Sequence, residues 1–321
     1  MQKFFIRLKV IFSIIASVLV GLYIFAFPII VSRLKKQNPI DNIYGTHSSP
    51  VVLDLWHVET FEGGTTSRKS FLEDCVKSFT RQNSGVYISV TVMTREQYNL
   101  NIKGSSPDIV SFSDGNIRSS LVDLARIDRV VKYIDDLKYD GDIVCYPYML
   151  GRYAIISREE ISGDLPNEII KQKKRTIYPF GYSKDVNGHM YLEENGYTLP
   201  SNSKVYNTQY ELYTAFLKGE VTAMLGSQRD VHRLKSREEK GTIDALHYIY
   251  LGGTTDLVQY IGVTKSSKDI DGAKIFCQYL VEKCDEKVKK CGMFSPFECI
   301  YEDSYMQEWE KQIKYTRLGN V

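Results

Sequence analysis

Residues 51–112 carry the pattern that most narrows the fold. Val51–Val58 is a compact apolar run rich in β-branched residues, and Phe71, Leu72, Cys75, Val76 and Phe79 follow at helical spacing. Ser70 with Glu73 reads as a capping box, and Asn83-Ser84-Gly85 as a helix stop. Val86–Met93 is a second strand, Arg95–Ile102 a short helix, and Pro107–Phe112 a third strand. A β-α-β-α-β order requires a parallel sheet, and right-handed crossovers put the carboxyl ends of its strands on one edge. Ligands of open α/β sheets bind outside that edge, so Trp56–Gly64 and Ser111–Gly115 are expected to face one crevice.

The pattern then repeats in kind. Ile143–Tyr148, Gly151–Ser157, Thr176–Gly181, Val221–Leu225 and Ala245–Leu251 read as strands, with helices near 207–218 and 228–240. This predicts a second α/β unit. A strand from Leu257 follows, and then Ile270–Cys291 shows helical periodicity throughout.

The first forty residues differ from the rest. Val10–Ser32 is apolar and uncharged, with Lys3, Arg7 and Lys9 before it and Arg33, Lys35 and Lys36 after it. That length suits a helix crossing the roughly 30 Å hydrocarbon core of a bilayer, and it exceeds the roughly 7–15 apolar residues of a signal peptide. The expectation is a cytoplasmic stub at 1–9, a single spanning anchor at 10–32 and a polar linker at 33–49. Without those six basic residues the chain's 41 Lys and Arg fall to 35 against 39 Asp and Glu, a net of −4. No nucleic-acid partner is implied by such a balance.

The six cysteines have no paired CxxC spacing for zinc. Cys277, Cys284 and Cys291 recur every seven residues, about 10.5 Å apart on one continuous helix, too far to bridge one another. They read as buried thiols, while Cys291 and Cys299 flank a turn and can pair in an oxidising compartment. No HExxH, GxSxG or GxxxxGK[ST] motif occurs, and nothing in the sequence requires a cofactor.

Taken in order, LWHVETFEGGTTSR, PDIVSF, AFLKGEVTAMLGSQRDVHRL, TDLVQYIGVTKSSKD, AKIFCQYLVEKC and GMFSPFECIY resemble the extracellular solute-binding proteins of bacterial ABC importers, family 1, the sugar-binding type. The match is spread over most of residues 51–302. The resemblance implies an α/β, two-lobed periplasmic-binding-protein-like fold of type II, here preceded by the single N-terminal transmembrane helix. Lobe 1 would take 50–145 and 256–292, and lobe 2 146–255 and 293–321. It further implies a non-enzymatic protein on the outer side of the cell membrane that closes on a small polar solute, a sugar or oligosaccharide, and delivers it to an ABC permease. Two features depart from the family pattern. No lipobox cysteine precedes Cys75, and the second lobe is short. These departures motivate a rival reading, a surface sensor or scaffold without an import role.

The candidate ligand-binding residues follow from strand ends and crossovers. Trp56 offers a face for a pyranose ring or serves as a core tryptophan. Glu59 and Glu62 can accept hydroxyl hydrogen bonds or stand solvated, and as a close carboxylate pair they also admit a glycosidase geometry. Asp114 follows the third strand. Arg229 and Asp230 project from the second unit, as ligands or as a capping pair. Asp256 and Gln259 lie where the chain recrosses, near a ligand or tying hinge strands together.

Overall fold

The computed structural model describes residues 50–59, 65–113, 115–126, 138–139, 142–160, 180–253 and 255–313. The segment 10–32, Glu62, Asp114 and the linker lie outside the described residues. Among the described residues no helix is long and apolar enough to cross a membrane.

Two five-stranded sheets organise the chain. The first has the order β2-β1-β3-β12-β6. It comprises β1 (Val51–Val58), β2 (Val86–Met93), β3 (Ile109–Phe112), β6 (Tyr146–Leu150) and β12 (Val258–Val263). Strands β2, β1 and β3 run parallel, and β12 enters antiparallel between β3 and β6. Helix α1 (Arg68–Gln82) buries Phe71, Leu72, Cys75, Val76 and Phe79 against Leu53 and Leu55 of β1, in a cluster that also holds Phe276 and Leu280 of α5 (Ile270–Lys283). The capping expectation shifts by one turn here. Helix α1 begins at Arg68, and it is Ser67 whose hydroxyl accepts the Ser70 amide at 3.2 Å.

Helix α2 (Arg95–Asn101) is short but sharply started. Thr94 and Gln97 exchange both bonds of a capping box, a device that satisfies two otherwise orphaned amides. A hairpin of β4 (Lys138–Tyr139) and β5 (Asp142–Ile143) lies apart from both main sheets.

The second sheet has the order β11-β7-β10-β8-β9. Its strands are β7 (Tyr153–Ser157), β8 (Phe180–Ser183), β9 (Lys204–Tyr206), β10 (Ala223–Ser227) and β11 (His247–Tyr250). Helices α3 (Gln209–Leu217) and α4 (Gln228–Glu239) pack on β10, and α7 (Ser304–Gln312) returns at the end of the chain to bury Trp309 beside Tyr250.

Two boundaries differ from expectation. The single helix read over Ile270–Cys291 breaks at Cys284, which leaves α5 and α6 (Asp285–Lys290) as separate helices. The heptad of cysteines is therefore not on one rod, and all six cysteines are free thiols, five of them buried. The strand Tyr146–Leu150 belongs to the first sheet, so the chain crosses at Gly151–Arg152 and not at residue 145.

Three stretches link the sheets and are tied together by hydrogen bonds. Gly151 N–H donates to Leu257 O at 2.6 Å, Arg152 Nη1 to Gly253 O at 2.7 Å, and Leu150 exchanges backbone bonds with Phe294 at 2.8 and 3.0 Å. Close packing at one glycine is unforgiving. A Cβ on Gly252 would stand 1.8 Å from the backbone oxygen of Gln312. Gly252→Ala is thus expected to lever α7 off the second sheet and cost on the order of 1–3 kcal/mol, measurable by chemical denaturation.

Candidate functional site

A cavity of about 490 Å³ opens between the two sheets. Glu59 and Thr94, the residues after β1 and β2, line one side. Asp185 and Val186 after β8, Gln209 and Tyr210 at the start of α3, and Ser227, Arg229, Asp230 and Arg233 from β10 and α4 line the other. Leu257, from a linking stretch, completes it. The carboxyl ends of strands in both sheets converge here, as open α/β sheets dictate.

Charge of both signs meets in this cleft. Arg229 and Arg233 stand one helical turn apart on α4, and Glu59 and Asp185 supply carboxylates. The Arg233 guanidinium also lies 5.7 Å from the centroid of the Tyr213 ring. Tyr210 is 71% exposed, an aromatic face presented to solvent inside a polar cavity.

Asp230 is built into the wall. Its Oδ2 accepts the Ser227 amide at 2.8 Å, the Ser227 hydroxyl at 2.9 Å and Gln209 Nε2 at 2.7 Å. Burial raises its pKa, and those three bonds together with the charge of Arg233 work in the opposite direction. The residue caps α4 and at the same time fixes Gln209 at the cavity rim.

Three other sequence candidates are placed elsewhere, while Glu62 and Asp114 lie outside the described residues. Trp56 packs edge-on against Tyr98, ring centroids 6.2 Å apart, on the side of β1 covered by α2. Asp256 spends both oxygens on lobe-linking contacts, accepting from Tyr153 Oη at 2.7 Å and Asn187 Nδ2 at 2.8 Å. Gln259 is fully buried in β12, donating to Ser111 Oγ at 3.0 Å and accepting from Ser113 Oγ at 3.3 Å. Of the eight candidates, Glu59, Arg229 and Asp230 come together on the cavity.

Thr94, Asp185, Gln209, Tyr210, Arg233 and Leu257 are cavity residues that the sequence reading passed over. Thr94 and Asp185 carried the same signal as Glu59, a polar residue just beyond a strand. Arg233 had another, its (i, i+4) spacing from Arg229.

Beneath the cleft, Ser111 Oγ sits within hydrogen-bond distance of His57 Nδ1 at 2.9 Å and Tyr148 Oη at 2.8 Å. A serine beside a histidine invites comparison with a nucleophile and its base. Here both side chains are wholly buried, and burial, reinforced by the nearby Arg68 charge, lowers the His57 pKa to about 3. The cluster cross-ties β1, β3, β6 and β12 and has no solvent access. Among the described residues no group of three or more His, Cys, Asp or Glu is arranged to hold a metal ion.

No protein-family model matches the chain, and no curated protein matches it by sequence. Solved structures do. The GacH receptor of Streptomyces glaucescens, solved unliganded and with acarbose, is 13% identical, covers 85% of this chain and 88% of its own, and gives a TM-score of 0.62. An ABC substrate-binding protein of Listeria monocytogenes in complex with cycloalternan is 12% identical, with 85% and 89% covered and a TM-score of 0.56. Thiaminase I from Bacillus thiaminolyticus is 12% identical, with 84% and 94% covered and a TM-score of 0.58. The chain has the two-lobed α/β fold of these three proteins.

Proposed function

We propose that the protein is a membrane-anchored, extracytoplasmic solute-binding protein that captures a small polar solute, a sugar or short oligosaccharide, and hands it to an ABC permease. The observation that carries this reading is the cavity of about 490 Å³ into which strand ends of both sheets deliver donors, acceptors and one exposed aromatic ring. Its size falls within the range of roughly 300–1,000 Å³ typical of small-molecule sites. Sugars are recognised by planar donors, carboxylate acceptors and ring stacking. Arg229 and Arg233, Glu59 and Asp185, and Tyr210 supply these three kinds in turn. Two of the structural neighbours were solved with carbohydrate-like ligands, acarbose and cycloalternan, which supports that ligand class.

The anchor is assigned to residues 10–32 on their apolar length, and the globular part to the outer face of the cell membrane. Binding without turnover is the reading for the site itself, although thiaminase I shares the fold. Asp230, the buried carboxylate of the cavity, is committed to three hydrogen bonds that hold Ser227 and Gln209.

Thermal unfolding of the full chain in mild detergent against saccharides, amino acids, peptides and phosphate esters tests the proposal. A solute at about 100 times its Kd adds roughly 2.7 kcal/mol of stability. Stabilisation by a saccharide and by no other class supports it. Stabilisation by none would favour the surface sensor or scaffold.

A further inference from the structure

The first sheet ends in β2, and among the described residues no strand pairs with the outer edge of β2. Exposed edges template the addition of another strand, and natural sheets blunt them by shortness, charge, proline or bulges. The other three edges of the two sheets are protected in these ways. Strand β9 has three residues and starts with Lys204, β11 has four, and β6 carries Pro147 and is buried at every position. Strand β2 has none of these defences. It reads VYISVTVM, eight residues without a charge, proline or glycine, and its register with β1 runs unbroken from Val51↔Val86 to Val58↔Met93.

The occupant is chosen by the symmetry of that sequence. Two antiparallel copies related by a two-fold axis through the sheet keep each residue on its own face, so residues directly opposite must have the same parity. With the axis at Ser89, Tyr87 meets Thr91 of the second copy, Ile88 meets Val90, and Val86 meets Val92. Serine meets serine at the centre. Aromatic with β-branched and β-branched with β-branched pairs are the favourable cross-strand combinations, and no charge faces a like charge. Tyr87 is 49% exposed, Ser89 and Thr91 are exposed, and Ile88, Val90 and Val92 are half-buried, so of the residues brought together only Val86 is already buried in the monomer.

We propose that β2 is a homodimerisation edge, through which two copies of this chain join antiparallel about Ser89 into one continuous ten-stranded sheet. This surface lies outside the solute cavity and does not depend on the function proposed for it.

The test uses the full-length chain in mild detergent. Cysteines at Ser89 stand opposite each other in the dimer, close enough for a disulfide when copper–phenanthroline with oxygen takes up the two electrons and two protons. Ser89→Cys should give a several-fold greater yield of reducible dimer than Lys77→Cys, a control on the exposed face of α1. Ser89→Lys, which sets two like charges face to face at an exposed position, should sediment as monomer at concentrations where the wild type sediments as dimer. Equal crosslinking at Ser89 and Lys77 would overturn the proposal. So would a wild-type dimer that Ser89→Lys leaves intact, or a Ser89→Cys chain that crosslinks only to a different protein.

Discussion

Replacing Trp309 with alanine is expected to cost about 3–5 kcal/mol of folding stability, the range for deleting a large buried aromatic. Trp309 is fully buried although it lies near the end of the described chain, on the nine-residue α7. Its ring stacks on Tyr250 at 4.8 Å and meets Phe294 edge-on at 5.6 Å, and its Nε1–H donates to Leu251 O at 3.2 Å. One side chain thus joins α7, the edge strand β11 and the third linking stretch. Truncation opens a cavity and strips the Leu251 carbonyl of its partner, so the loss has an apolar and a polar part. Trp309→Phe should recover most of the first and none of the second. Urea denaturation of the three proteins measures both. A cost below about 1 kcal/mol for Trp309→Ala would mean that α7 is not integral to the fold.

The second large effect is acid destabilisation through His57. Folding lowers the pKa of its imidazole from 6.5 to about 3, mainly because burial disfavours the charged form. Between those values the unfolded chain binds a proton that the folded chain does not. Stability from this group is therefore complete above pH 6.5 and is lost as the pH falls toward 3. Between pH 7 and pH 4 the loss from His57 alone is about 3 kcal/mol. Asp108 adds to it at lower pH. Burial pushes its pKa up, but the amides of Asp54 and Lys268, the Ser267 hydroxyl and the Lys268 ammonium hold it below its usual value. His57→Gln removes the titrating group, so its unfolding free energy should fall about 3 kcal/mol less than the wild type's over the same range. Parallel decreases in the two proteins would show that His57 does not drive the acid transition.

Much of the lobe-1 sheet was legible because its signals are local. Strands β1 and β2 match the residue spans read from the sequence, since each is a β-branched run bounded by turn residues or a cap. The break at Cys284 was not legible. Cys277, Leu280, Val281 and Val288 keep the apolar period on both sides of it, so one buried face continues across two helices. Within the cleft, strand parity was the information left unused. Leu53, Leu55 and His57 form one buried face of β1, which puts Trp56 on the opposite face, under Tyr98. Of the two readings of Gln259, the structure fits the one that ties strands together, because β12 is an interior strand covered on both faces and its Gln259 bonds Ser111 and Ser113. Gln209 and Tyr210 sat at the start of a helix that the sequence did reveal. What no local pattern could supply was the packing of that helix on β8 and β10, which points its first turn into the cavity.

The measurement that bears most directly on the central claim is the affinity of the best stabilising solute, by titration calorimetry, for the wild type, Arg229→Ala and Tyr197→Phe. Arg229 lines the cleft between the sheets, whereas Tyr197 lines a separate cavity of about 310 Å³ beside Gly252 and Gln312. Loss of one charged hydrogen-bonding partner is worth roughly 1.5–3 kcal/mol, at least a tenfold rise in Kd. The account predicts that rise in Arg229→Ala and wild-type affinity in Tyr197→Phe. Undiminished affinity in Arg229→Ala, or weakening in Tyr197→Phe alone, would place the solute outside the cleft and contradict it.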